Sequence, residues 1–223
     1  MKPDIKRGIK FYHSKKYEQA LKEFRMLEEE EENLNIEVIY YIGLCLTQLG
    51  RYDEALLYLE QVAQSEFSFL HVFQSRMVLG FIYSVTKRYK LAEYEFNKLI
   101  SSGLESSQIY AALGYVYYSQ KKIKDSIEAL EKALEMDPDN PNALNSLGFI
   151  LAEEEIDVGR AVELCRKAVK KKPKNPAYLD SLGWALYKRG KYSEAREALR
   201  RALDLMPGNP EIVSHMKEVL SKM

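Results

Sequence analysis

The sequence is poor in the residues that chemistry most often needs. In 223 residues it holds two cysteines, Cys45 and Cys165, and three histidines, His13, His71 and His215. Thiols this far apart make neither a disulfide framework nor a metal-ligand spacing; they fit a reducing compartment and read as small core residues. The histidines have no triad or ligand spacing and read as surface or packing residues, so no catalytic, cofactor or metal site is expected. Charge of one sign is missing too. Thirty-three Lys and Arg offset 33 Asp and Glu, so no overall field draws nucleic acid, a membrane surface or an acidic substrate, and a partner must be recognised locally. No run of about 18 apolar residues occurs, so no transmembrane helix or membrane insertion is expected. The start, Met1-Lys2-Pro3-Asp4-Ile5-Lys6-Arg7, has no apolar stretch behind its charges, which argues against a signal peptide and places the chain in the cytoplasm. With 46% apolar and 30% charged residues, the composition is that of a globular protein.

What the chain does have is a period. Six glycines, Gly8, Gly43, Gly80, Gly114, Gly148 and Gly183, recur at spacings of 35, 37, 34, 34 and 35. Three positions after each stands an apolar residue: Phe11, Leu46, Tyr83, Tyr117, Leu151 and Leu186. A turn follows, and then a second segment that opens near Tyr17, Tyr52, Tyr89, Ile123, Val158 and Tyr192. That segment places a small residue (Ala20, Ala55, Ala92, Ser126, Ala161, Ala195) and, four positions on, usually a larger one (Phe24, Leu59, Phe96, Leu130, Cys165, Leu199). Steps of three and four put these positions on one helical face, so each unit reads as two amphipathic helices joined by a short turn. Each helical glycine costs about 1 kcal/mol in propensity, and six such costs in register imply close backbone packing.

The later joints read Pro138-Asp139-Asn140-Pro141, Pro173-Lys174-Asn175-Pro176 and Pro207-Gly208-Asn209-Pro210. The first proline stops one helix, the asparagine caps the next and the second proline suits its first turn. Lys170-Lys171-Lys172 then reads as the end of a helix, where positive charge suits the macrodipole, rather than as a nucleic-acid patch. The earlier joints are less regular: Glu28 to Glu32 form an acidic run that would attract a basic partner, and three extra residues surround Phe67, Phe69, Leu70 and Phe73. The fifth unit carries one added residue near Ile156 to Gly159.

This pattern resembles the tetratricopeptide repeat family, most closely at Ser181-Leu182-Gly183-Trp184-Ala185-Leu186-Tyr187 with Tyr192, Ala195, Leu199, Ala202 and Pro207, and again from Leu147 to Pro173. The resemblance implies an all-α fold, a right-handed α-solenoid of six helix-turn-helix repeats at about 2–35, 36–72, 73–106, 107–140, 141–175 and 176–209. A cap helix over 210–222, with Ile212, Val213, Met216, Val219 and Leu220 at helical spacing, covers the last repeat. The whole chain, 1–223, is expected to be one domain.

Positions one and four after each glycine, and three before it, point away from the partner helix; in the family this stripe lines the concave face. One after the glycines stand Ile9, Leu44, Phe81, Tyr115, Phe149 and Trp184, with no charge among them; four after stand Tyr12, Thr47, Ser84, Tyr118, Ala152 and Tyr187. Three before, Ile5, Tyr40, Met77 and Ala111 give way to Asn145 and Asp180. A contiguous uncharged stripe is seldom exposed without a use, and aromatics are enriched at protein-binding surfaces. The expected groove is therefore Tyr40, Leu44, Met77, Phe81, Tyr115, Tyr118, Asn145, Phe149, Asp180, Trp184 and Tyr187, taking an apolar or aromatic-bearing peptide or helix. Some family members clamp acidic chaperone tails with basic side chains. Ala111, Tyr115, Ser146, Ala177 and Ser181 stand at those positions here and cannot hold two carboxylates. Two other uses fit the same stripe, homo-oligomerisation and chaperoning of secretion or envelope-assembly proteins.

Overall fold

The computed structural model describes residues 4–30, 35–66 and 68–223. Residues 1–3, Glu31 and Glu32 of the acidic run, and Phe67 lie outside the described residues. Among those described there are thirteen α-helices and no strand: α1 (Ile5–His13), α2 (Tyr17–Glu30), α3 (Ile36–Gln48), α4 (Tyr52–Gln64), α5 (Phe69–Val85), α6 (Tyr89–Ser101), α7 (Ser107–Ser119), α8 (Ile123–Met136), α9 (Pro141–Glu153), α10 (Val158–Lys171), α11 (Pro176–Lys188), α12 (Tyr192–Leu205) and α13 (Pro210–Leu220). They form two compact units, Met1–Leu104 with α1–α6 and Glu105–Met223 with α7–α13.

One turn builds every hairpin. Seven residues after each repeat glycine stands a residue with left-handed backbone: Lys15, Gly50, Lys87, Lys121, Glu155 and Gly190, with φ between 53 and 76°. The amide that follows it bonds back to the carbonyl of Phe11, Leu46, Tyr83, Tyr117, Leu151 or Leu186 at 2.7 to 3.0 Å. This is a Schellman closure, which satisfies carbonyls that a helix end leaves open. The apolar residue three after each glycine is thus also the hydrogen-bond anchor of its turn. The second helices begin at Tyr17, Tyr52, Tyr89, Ile123, Val158 and Tyr192. In the fifth hairpin the added residue brings Asp157 into the N-cap, where its carboxylate accepts from the Arg160 amide at 2.9 Å. Four of the other second helices, α4, α6, α8 and α12, have no side-chain cap.

First helices in the second unit start as the Asn-Pro pairs require. Asn140, Asn175 and Asn209 each accept two backbone amides, with proline in the first turn. Asn140 is buried and also donates to Ser107 Oγ at 2.8 Å, which in turn donates to the Ala133 carbonyl at 2.8 Å. That chain of bonds ties the starts of α7 and α9 to the end of α8.

Within each hairpin the repeat glycine meets the larger residue of the second helix. A Cβ at Gly8 would lie 2.6 Å from the Phe24 ring, at Gly80 2.6 Å from Phe96, and at Gly114 2.5 Å from Leu130 Cγ. The small residues Ala20, Ala55, Ala92, Ser126, Ala161 and Ala195 are fully buried. Ser126, in the place of alanine, donates to the Gly114 carbonyl at 2.7 Å, so a hydroxyl is tolerated there only because the glycine brings an acceptor within reach.

Contacts between hairpins are uneven, and that unevenness makes an inner side. In the second unit α7 touches α9, α9 touches α11 and α11 touches α13, whereas α8, α10 and α12 do not touch one another. In the first unit α1, α3 and α5 likewise touch in turn while α2, α4 and α6 do not. First helices therefore crowd on one side of each unit, and second helices splay on the other. No described helix is long and apolar enough to cross a membrane.

Candidate interaction groove

The stripe expected from the sequence divides between the two units and does not behave alike in them. In the first unit Tyr40 and Leu44 are buried. Tyr40 is covered in part by the added length of α5, seventeen residues against thirteen in α3 and α7. The extra turn, 69–72, brings His71 edge-on against the Tyr40 ring, 4.6 Å between centroids, and Gln74, from the following turn of α5, accepts from the Tyr40 hydroxyl at Oε1 at 2.5 Å. Thr47 and Ser84 are also buried, each donating to the carbonyl of its own repeat glycine, Gly43 at 2.8 Å and Gly80 at 2.7 Å. Met77 is half-buried. Of the expected groove residues here, Phe81 is the exposed one, at 49%, with its ring edge-on to Tyr52 at 6.4 Å.

The second unit keeps an aromatic stripe along its first helices. Tyr115 is 47% exposed; Tyr118, Phe149, Trp184 and Tyr187 are half-buried. The Tyr118 and Phe149 rings meet edge-on at 6.0 Å, joining α7 to α9. Trp184 stacks on Tyr187 at 5.0 Å and on His215 at 4.2 Å, joining α11 to α13. Its indole Nε1 donates to Glu153 Oε2 at 2.7 Å, which ties α11 back to the end of α9. Trp184 is therefore both lining and joint.

The polar members of the stripe are satisfied unequally. Asp180 is buried, at 6%, and its Oδ1 lies 2.9 Å from His215 Nδ1. It is not an open specificity contact: the cap helix covers it. Asn145, half-buried, has its Oδ1 enclosed with no hydrogen-bond partner among the described residues. Ligand atoms of Asp180, Glu211 and His215 lie within 4.8 Å of one another, a donor set of the kind that holds a divalent ion.

Charge around these rings is mostly negative. Glu153, Glu154 and Glu211 act on Tyr118, and with burial as the larger cause they hold its phenol above the ordinary value. Two ammoniums sit over the rings, Lys121 over Tyr118 at 5.8 Å and Lys188 over Trp184 at 5.3 Å. Lys188 is bonded to Glu155 at 2.9 Å.

Sequence reasoning missed His215, Glu153 and Glu211. A signal for His215 was available: Asn145, Asp180 and His215 follow one another at intervals of 35, so α13 continues the register of the first helices. The two thiols lie in different units, and burial pushes both up to about 12.

Comparison with known proteins accounts for this architecture. The profile of the cytochrome c-type biogenesis protein H TPR domain matches residues 78–213, more than half of the chain, and a tetratricopeptide repeat profile matches 37–66. The human protein O-mannosyl-transferase TMTC1 is 28% identical over 191 residues, 84% of this chain; the chain spans about a fifth (21%) of that relative's length. Among solved structures, the APC/C hetero-tetramer Cut9–Hcn1 superposes with a TM-score of 0.78 at 12% identity, covering 97% of this chain and 42% of that one. MamA from Desulfovibrio magneticus RS-1 gives 0.65 at 24%, covering 74% and 90%. YrrB, a TPR protein with an unusual peptide-binding site, gives 0.58 at 20%, covering 86% and 96%. The solved structures share the all-α repeat fold, and the profile match makes the assignment: the chain belongs to the tetratricopeptide repeat family, through the cytochrome c-type biogenesis protein H TPR domain.

Proposed function

We propose that the chain is a non-enzymatic scaffold that binds other proteins through the inner side of its 105–223 unit, where a polypeptide segment bearing apolar or aromatic side chains lies along α7, α9 and α11. One observation carries the reading. Tyr115, Tyr118, Phe149, Trp184 and Tyr187 form an uncharged aromatic line on the crowded side of the helix stack, and none of them is fully buried. Large aromatic side chains left partly in water contribute most where a partner removes the rest of their surface. YrrB is described as having a peptide-binding site, which supports the same use of this fold.

The same groove serves an adaptor or a chaperone. The profile match to a cytochrome c biogenesis domain favours a chaperone that holds a client during assembly of another protein. The groove is the same in either case. The chain has one tryptophan, and it lies in the groove, so its fluorescence reports occupancy directly. Peptides selected from a random displayed library are expected to shift Trp184 emission, with Tyr115→Ala and Phe149→Ala weakening binding at least tenfold together, a loss of about 1.4 kcal/mol or more. Binding that survives both substitutions would place the site elsewhere. Light scattering across concentration checks the self-assembly alternative, in which the stripe is buried between copies.

A further inference from the structure

We infer that the segment taken by this groove carries an arginine side chain, lying on the aromatic line near Tyr118 and met by the carboxylates of Glu153, Glu154 and Glu211. This rests on the proposed function and adds the charge of the ligand to it. The groove's aromatic rings are bordered by three acids on two elements, α9 and α13. Glu153 ends α9 with its carboxylate on the Trp184 indole at 2.7 Å, Glu154 follows as the C-cap of α9, and Glu211 opens α13 beside Asp180 and His215.

Compensation is incomplete. Lys188 is bonded to Glu155 and Asp180 to His215, while among the described residues Glu154 and Glu211 have no cationic partner within 4 Å. Lys121 is the one ammonium close to Tyr118 without a carboxylate bound to it among the described residues. The rings already accept cations on their faces, as the ammoniums of Lys121 and Lys188 show. A face that attracts cations beside unpaired carboxylates complements a positive side chain and repels an acidic tail. Of the two basic side chains, arginine fits better. Its planar guanidinium stacks on an aromatic ring and presents a fork of donors to more than one carboxylate at once, whereas an ammonium acts as a point charge.

The test uses the full chain in EDTA, which keeps divalent ions off Asp180, Glu211 and His215. Random twelve-residue peptides on phage are panned at low salt, and the selected sequences are made in three forms: as selected, with arginine replaced by lysine, and with arginine replaced by citrulline, its neutral isostere. Binding is read from Trp184 fluorescence. Arginine is expected to be enriched beside apolar residues, and citrulline to weaken binding about tenfold, with lysine between. The double variant Glu154→Gln, Glu211→Gln is expected to lose a similar factor for the arginine peptide and almost none for the citrulline one. Glu128→Gln, on the outer helix α8, is expected to change neither. Selected peptides without arginine, or equal affinity of the arginine and citrulline forms, would overturn this inference while segment binding stands. Failure to select any peptide that moves Trp184 would overturn the groove reading, and this inference with it.

Discussion

Gly114 offers the sharpest test of how the hairpins are held together. The three atoms nearest to a Cβ built there, at 2.5, 2.8 and 3.3 Å, all belong to Leu130, which is fully buried. Alanine in place of a helical glycine gains about 1 kcal/mol of propensity. Overpacking a close contact costs about 1–3 kcal/mol, so Gly114→Ala is expected to lose about 1 kcal/mol net. Leu130→Ala alone leaves a cavity and costs about 2–5 kcal/mol. In that background the clash is gone, and Gly114→Ala is expected to become stabilising by about 1 kcal/mol, its bare propensity gain. The sign therefore reverses. Gly148 is the internal control. Its added Cβ would meet Cys165 Sγ at 2.6 Å but also the Ala161 carbonyl at 3.0 Å and the Cys165 amide at 3.2 Å. Cys165→Ala removes the sulfur and leaves the backbone, so Gly148→Ala is relieved in part and stays destabilising. Urea unfolding followed by far-UV circular dichroism and by Trp184 emission measures all six variants, with both probes because repeat chains need not unfold in one step. An additive pair at Gly114 and Leu130, with a coupling below about 0.5 kcal/mol, would refute glycine-on-leucine packing as the reason for the period.

Ser75 is fully buried and its hydroxyl has no hydrogen-bond partner among the described residues; Ser75→Ala is expected to stabilise the chain by about 1 kcal/mol in urea unfolding, and a loss would reveal a partner for the hydroxyl. Glu95 is buried against Arg76, its carboxylate 2.7 Å from the guanidinium, which also donates to the Ala63 carbonyl at 2.8 Å. Burial outweighs that pairing and holds the Glu95 carboxyl above the ordinary 4.5. The folded state thus keeps its proton longer than the unfolded one; the stability Glu95 lends is full below the ordinary value and is lost as pH rises through the raised one. A melting series from pH 4 to 7 is expected to show that decline in the parent and a flatter profile in Glu95→Gln. Arg76→Met, which strands the carboxylate, is expected to cost about 3–5 kcal/mol at pH 7. Thiol labelling at pH 8 is expected to be slow at both Cys45 and Cys165, since burial holds each near 12; because they lie in different units, site-resolved labelling in rising urea measures the opening of each unit separately, and fast labelling of native protein would contradict the packing.

Much of the fold is legible because the repeat states it six times. The residues read as opening the second segments, Tyr17, Tyr52, Tyr89, Ile123, Val158 and Tyr192, are the first residues of the second helices, and the Asn-Pro pairs sit at the starts of α9, α11 and α13. Hydrophobic spacing and capping chemistry are local, so one chain suffices to read them. The left-handed turn was not legible from composition, because four of its six holders are Lys15, Lys87, Lys121 and Glu155, which carry no turn signal. Only register, seven residues after each glycine, would have found it. The stripe was legible as a run of positions but not in its exposure. Tyr40 is covered in part by His71 from the extra turn of α5, and Asp180 because α13 supplies His215. Exposure depends on the neighbouring hairpin, and the period says where a side chain points without saying how far the next helix reaches.

The cap helix also alters what a groove of this kind is made of. Read as a solvating end, α13 has only to cover α11 and α12 with Ile212 and Val219, and both are buried there. Yet it keeps the spacing of a first helix, so the position that carries Asn145 and Asp180 in earlier hairpins carries His215 in α13, stacked on Trp184. The end of the aromatic line is thus met by an imidazole and a carboxylate, His215 and Glu211. Packing and the proposed recognition meet in the same few atoms: Trp184→Ala would break a hydrogen bond to α9 and a stack on α13 together, and loss of binding in that variant would not separate the two. Tyr115 is half in water and takes no part in those two Trp184 contacts. A binding defect in Tyr115→Ala at unchanged melting temperature is therefore the result that assigns the aromatic line to partners rather than to packing.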